Sequence, residues 1–208
     1  MEQLRPEDIE KKSFDIITKE LGEITLQDRL APIIKRVIHT TADFDYLNNL
    51  CFSENVVELA IKAIKNGAAI VTDTNMALSG INKQALSKGG GTAHCFMAEE
   101  DVAREAKARK VTRASISMEK ALELKKQIIF AIGNAPTALI KLEELISEKK
   151  VQPALIIGVP VGFVNVIEAK ELIMTTDVPY IVAKGRKGGS NVAAAIVNAL
   201  LYMAYPRD

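Results

Sequence analysis

Apolar positions along this chain follow two rhythms. Over roughly the first 65 residues the spacing is helical. Pro6 suits a first turn, and Ile9, Phe14, Ile16, Ile17 and Leu21 form a stripe over 6–21. The stretch 27–41, QDRLAPIIKRVIHTT, predicts a second helix with Pro32 near its start, and 53–66 a third, with Ser53 as N-cap and Gly67 as stop. From residue 68 the rhythm changes to short, continuous apolar runs bounded by glycine-rich turns. These predict strands near 69–73, 92–97, 127–132, 154–159 and 179–183. Helical spacing over 74–86, AEEDVAREAKARK and TRASISMEKALEL supplies crossovers between them. The expected class is α/β: a three-layer, Rossmann-like domain with a mainly parallel sheet of about five strands. The helical N-terminal region packs on it, and 1–208 forms one domain.

Three segments share one grammar of buried strand, Gly-centred turn and helix start: 126–142, 151–170 and 178–201. In a parallel sheet such turns lie at one edge, where ligands bind. Together they imply a shaped site for a large anionic ligand. In AIGNAPTAL, Gly133 permits a tight turn, Asn134 can cap, and Pro136 sits in the first helical turn. The N–H groups of Asn134, Ala135 and Thr137 then face an anion; a capped αβ turn without ligand fits the same residues. In GVPVGFV, Pro160 lacks an N–H and Gly162 lets backbone approach closely, but neither GxGxxG nor GxxxxGK[ST] is present. In KGRKGGSN, Lys184, Arg186 and Lys187 cluster beside Gly188, Gly189 and Ser190. Cations and free N–H donors there suit carboxylates or phosphates, and a solvated loop is the alternative.

Composition narrows the ligand. Net charge is +1, which supplies no basic field for nucleic acid. Cys51 and Cys95 form no disulfide framework or CxxC pair, so a cytoplasmic, reducing setting is expected. MEQLRPEDIEKKSF lacks a secretory apolar core, and no run approaches the ~20 residues a membrane span requires. His94 and Cys95 are adjacent, so on a strand they point to opposite faces and make a poor metal pair; no metal site is expected.

His39, in RVIHTTADFD, can give or take a proton near neutral pH, with Arg36 on the same helical face. A structural histidine at a helix end is the alternative. Asp73 ends a strand at the ligand edge, where it can touch ligand or cap the next helix. Arg113 opens a helix and so opposes its dipole, which suits an anion partner or plain exposure.

These segments resemble the precorrin-8X methylmutase family, also called cobalt-precorrin-8 methylmutases, of cobalamin biosynthesis. The resemblance spans nearly the whole chain: SFDII, RVIHTTADFD, IVTDTNM, TRASISM, AIGNAPTAL, GVPVGFVNVIEAK and GRKGGSNVAAAIVNAL, in that order. It implies an isomerase that moves a methyl group from C-11 to C-12 of a contracted tetrapyrrole bearing acetate and propionate chains. No redox cofactor is implied, and cobalt enters only inside the substrate. The family's catalytic histidine matches His39, with protonation of the macrocycle as its role. Ser13, Arg36 and Arg113 become substrate contacts. So do the turns at Asp73, Thr74 and Asn75, at Gly133, Asn134, Ala135 and Thr137, at Val161, Gly162 and Phe163, and at Arg186, Gly188, Gly189 and Ser190. A homodimer with its site near the subunit interface is implied too. Two other classes compete: a corrinoid handover protein, which has no need of an acid–base residue, and a dinucleotide-dependent oxidoreductase, which lacks its GxGxxG.

Overall fold

The structure, a computed structural model, describes residues 5–206. Its centre is a sheet of β1 (Leu50–Phe52), β2 (Ala69–Thr72), β3 (Thr92–His94), β4 (Ile128–Ile132), β5 (Leu155–Gly158) and β6 (Tyr180–Ala183). The strand order is β1-β6-β5-β4-β2-β3. All neighbours are parallel except β1, which pairs antiparallel with β6 through Leu50–Ala183, Cys51–Val182 and Phe52–Ile181. β2, β4 and β5 are buried at every position, as strands covered on both faces must be.

Alternation along β4 shows how the layers form. Ile128, Phe130 and Ile132 face one side, while Ile129 and Ala131 face the other. The first side packs on α7 (Glu100–Arg109), α8 (Arg113–Lys120), α9 (Pro136–Ser147) and α10 (Val166–Met174). The second packs on α1 (Pro6–Leu21), α2 (Ala31–Thr41), α4 (Val56–Lys65), α6 (Lys83–Ser87) and α11 (Ser190–Ala204). The remaining helices are short: α3 (Tyr46–Asn49) and α5 (Asn75–Gly80). α11 lies in the middle of its layer, buried from Val192 through Val197 and again at Ala199, Leu200 and Leu201.

Three local expectations are corrected. The sheet has six strands, because residues 50–52 extend along β6 ahead of the third predicted helix. Ser53 does not cap that helix; its hydroxyl accepts the Tyr180 N–H at 2.9 Å, and α4 starts later, after Asn55 in a left-handed conformation. The helix expected over 74–86 is two helices. Asn198 of α11 accepts the Asn82 N–H and donates to the Gly80 carbonyl, both at 2.8 Å. Asn82 in turn caps α6 through the Ala85 N–H. A polar side chain from a distant helix thus substitutes for the bonds a continuous helix would make.

The chain direction reverses between β2 and β4. β2 leads outward to β3, whereas β4 leads the opposite way to β5 and β6. In sheets of this kind that switch point opens a crevice beyond the strand ends.

Candidate active site

At the switch point the crevice is closed by the chain's own carboxylate. Asp73 follows β2 and is wholly buried. It accepts the N–H groups of Gly133 (2.9 Å), Asn134 (2.8 Å) and Ala135 (2.6 Å) at the start of α9. Burial pushes its pKa above the ordinary value, and the three N–H donors pull it back only in part. Within the chain, these groups are partnered with one another. The Asn134 and Ala135 N–H groups do face an anion, but that anion is Asp73. Asp73 itself is committed to the turn after β4 and presents no free oxygen to a ligand. The cap of α5 is Thr74, whose hydroxyl accepts from the Ala77 N–H at 3.1 Å.

The four turns at this edge are bonded into one surface. Thr74 Oγ1 meets Ser190 Oγ at 2.8 Å, joining the turn after β2 to the start of α11. Gly133 packs on the Gly189–Ser190 backbone so closely that an added Cβ would lie 2.6 Å from the Ser190 Cα. The Gly189 N–H donates to the Val159 carbonyl at 2.9 Å, and the Gly162 N–H to the Arg186 carbonyl at 3.2 Å. A Cβ on Gly188 would stand 2.1 Å from the Val159 oxygen, so only glycine lets these two turns touch. Thr112, which caps α8, donates its hydroxyl to Thr137 Oγ1 at 2.9 Å; this sets Arg113 beside the turn after β4.

The side chains of this surface are of two kinds. Phe163, Val164 and Met76 are 83%, 78% and 73% exposed, and Val161 is also exposed. Large apolar groups so open to water and gathered on neighbouring turns mark a contact surface. Arg186 lies over the Phe163 ring, its guanidinium carbon 5.5 Å from the centroid. Arg113, Lys184 and Asn75 are exposed on the same turns. Lys187 is not a free cation: its ammonium bonds Asp43 and Asp45, each at 2.6 Å. Their carboxylates hold Lys187 above the ordinary lysine range, and Lys187 holds Asp43 below the usual carboxylate range.

That pairing fastens the 184–190 loop to the chain just beyond α2, whose last turn carries His39. The imidazole is exposed and stacks on Phe14 of α1, with ring centroids 5.3 Å apart and planes at 22°. Arg36, one turn earlier, is 5.1 Å from the Phe14 centroid and 4.8 Å from that of Tyr202, and bonds Glu10 at 2.7 Å. Arg36, expected to contact ligand, holds its guanidinium between two rings and a carboxylate and so braces Phe14 beside the histidine. Ser13 lies beside Phe14 and returns its hydroxyl to the Ile9 carbonyl at 2.9 Å. A cavity of about 690 Å³ runs between α1, α2 and the end of α11. It shares Phe14 and Arg36 with the histidine's surroundings and includes none of the four turns. The exposed apolar and cationic groups stand on the turns instead.

Three features escaped sequence reasoning: the stacking ring of Phe14, the Asp43–Lys187–Asp45 clasp, and Lys170, which is wholly buried in α10. The last had a signal. Lys170 shares the face of Val166, Ala169 and Ile173, an apolar stripe that a lysine ordinarily leaves. Neither cysteine is paired, and among the described residues no group of His, Cys, Asp and Glu is arranged to hold a metal. Among them, too, no helix is long and apolar enough to cross a membrane.

The precorrin-8X methylmutase family (CbiC) matches residues 8–203. The chain belongs to this family. The cobalt-precorrin-8 methylmutase of Salmonella typhimurium is 46% identical over 204 residues, covering 95% of each chain. That of Priestia megaterium is 45% identical over 201 residues, 97% of this chain and 89% of the relative. The solved precorrin-8x methyl mutase of Thermus thermophilus superposes with a TM-score of 0.86 at 40% identity, covering 95% of this chain and 97% of the other. Methylmutase membership accords with the sheet: the family expectation formed on the quoted motifs holds, and the Rossmann-like α/β class with it.

Proposed function

We propose that this methylmutase moves the methyl group from C-11 to C-12 of precorrin-8X or its cobalt complex. The relatives named for the cobalt form favour cobalt-precorrin-8. The observation that carries the mechanism is His39: exposed, stacked on Phe14, and clasped through Asp43 and Asp45 to the Arg186 loop. A planar macrocycle lies on Phe163, Val164 and Met76. Its acetates and propionates meet Arg113, Arg186 and the N–H groups of the turns. His39 gives a proton to the macrocycle next to the migrating methyl. The π-system becomes electron-poorer, the methyl shifts, and the proton returns to the imidazole. General acid–base help of this kind is worth about 10²–10⁴-fold, and a fixed ring supplies further rate. The shift moves no electrons in or out, so the reaction calls for no redox cofactor, and any cobalt arrives within the substrate.

The exposed apolar turns also favour a second copy of the chain closing the site as a homodimer, with the single domain acting in the cytoplasm. A handover protein without chemistry has no use for the imidazole. Purified protein added to cobalt-precorrin-8, and separately to precorrin-8X, tests this by the visible spectrum. Conversion is expected from wild type, with a loss of at least about a hundredfold in His39→Ala. Binding without conversion by wild type makes the protein a carrier, and a His39→Ala rate near wild type removes the proton-transfer role.

A further inference from the structure

Lys170 is the one lysine among the described residues that is wholly buried. It projects from α10 beneath the 184–190 loop and donates to the carbonyl oxygens of Gly185 at 2.8 Å and Lys187 at 2.9 Å. Among the described residues no carboxylate lies within ion-pairing distance of it. A lysine this deep without a counter-charge is costly, and burial lowers its pKa to about 8. An apolar residue in its place would pack without that cost, so the charge calls for a use.

The loop above it is sorted by polarity. The carbonyls of Gly185 and Lys187 turn to Lys170, and that of Arg186 accepts from Gly162. The N–H groups of Arg186, Lys187 and Gly188 have no acceptor among the described residues, and Arg186 and Lys187 are exposed. Acceptors inward and donors outward leave successive backbone N–H groups open to an anion, the arrangement by which such groups bind one.

We propose that Lys170 is the positioning residue of this receptor and its buried counter-charge: it draws the loop carbonyls inward, frees the Arg186, Lys187 and Gly188 N–H groups for a carboxylate of the substrate, and is neutralised across the loop when that carboxylate binds. The proposal rests on the reading of the loop as a tetrapyrrole carboxylate site. Lys170 itself touches no substrate; it acts through the backbone between them.

The test compares wild type with Lys170→Met, which keeps the stem and removes the charge and donors. Three quantities are read: affinity for cobyrinic acid, a corrin with free carboxylates, by visible titration; KM and kcat with cobalt-precorrin-8; and amide exchange over 185–189. A rise of about tenfold to a hundredfold in Kd and KM is expected, falling on KM rather than kcat, with faster exchange in the loop. Lys170→Gln, which keeps an amide donor, is expected between the two and carries the test if Lys170→Met does not fold. Faster exchange with Kd and KM unchanged would show a brace without a binding role and overturn the proposal. Unaltered exchange, Kd and KM would overturn it entirely. A wild type that neither binds cobyrinic acid nor converts either precorrin defeats the functional reading, and the counter-charge with it; exchange still reports the brace alone.

Discussion

Replacing Asp73 by Asn isolates the charge that closes the switch-point crevice while keeping the shape. In the structure Oδ2 accepts from Asn134 and Ala135, and Oδ1 from Gly133. Asn has one acceptor oxygen. Placed in the Oδ2 position it retains two bonds, now without charge assistance, and turns an NH2 group against the Gly133 N–H. A hydrogen bond to a charged group is worth about 1.5–3 kcal/mol, and a buried donor left unpaired costs about 1–3 kcal/mol. Relief from burying the charge offsets part of this, so the expected net loss is about 2–4 kcal/mol. That is within the ~5–15 kcal/mol stability of an ordinary domain, so the variant folds. For a chain of this length the loss corresponds to roughly 5–15 °C in Tm. Urea unfolding with a common m-value measures it, and amide exchange at Gly133, Asn134 and Ala135 localises it. A loss below about 1 kcal/mol, or unchanged exchange at those three amides, would refute the view that Asp73 holds the turn.

Two further outcomes follow from buried polar groups. The Lys170 pKa is lowered in the folded chain from 10.5 to about 8, so between those values the unfolded chain binds more protons; stability attributable to Lys170 therefore rises with pH across that window, by at most about 3 kcal/mol. The wild-type minus Lys170→Met difference in unfolding free energy, measured from pH 7 to 10.5, gives this slope, and a flat difference contradicts it. Ser117 of α8 is wholly buried and its hydroxyl has no partner among the described residues, so Ser117→Ala is expected to leave stability unchanged or raise it by about 1 kcal/mol, whereas a comparable loss in urea unfolding shows that the hydroxyl is satisfied.

Among β2 to β6, the covered strands were legible because a parallel strand buried on both faces is a continuous apolar run, while β3, a partly exposed edge strand, was read from the glycine turn before it. β1 was not. Its three residues, Leu50, Cys51 and Phe52, form a strand only because β6 lies alongside, and nothing local distinguishes them from the helical sequence around them. The same holds for the break between α5 and α6, made by Asn198 from far along the chain. At the site, residue types on the turns were readable from Gly, Pro, Asn and cation content. Their partners were not. That Asp73 would take the Asn134 and Ala135 amides, Glu10 the Arg36 guanidinium, and Asp43 and Asp45 the Lys187 ammonium depends on long-range packing. Sequence therefore named the residue types on these turns and overcounted their free donors and cations.

The antiparallel pairing of β1 with β6 has a consequence for how this chain survives in solution. β6 would otherwise be the outer strand of the sheet, a flat apolar ribbon of Tyr180, Ile181, Val182 and Ala183 with a row of open backbone groups, the kind of edge on which chains of different molecules add to one another. Three residues from the N-terminal region cap that ribbon, and the Lys184 N–H continues the seam to the Asn49 carbonyl. Trimming the molecule to its parallel strands and their helices would strip off this guard along with α2, and so trade a catalyst for an aggregation template.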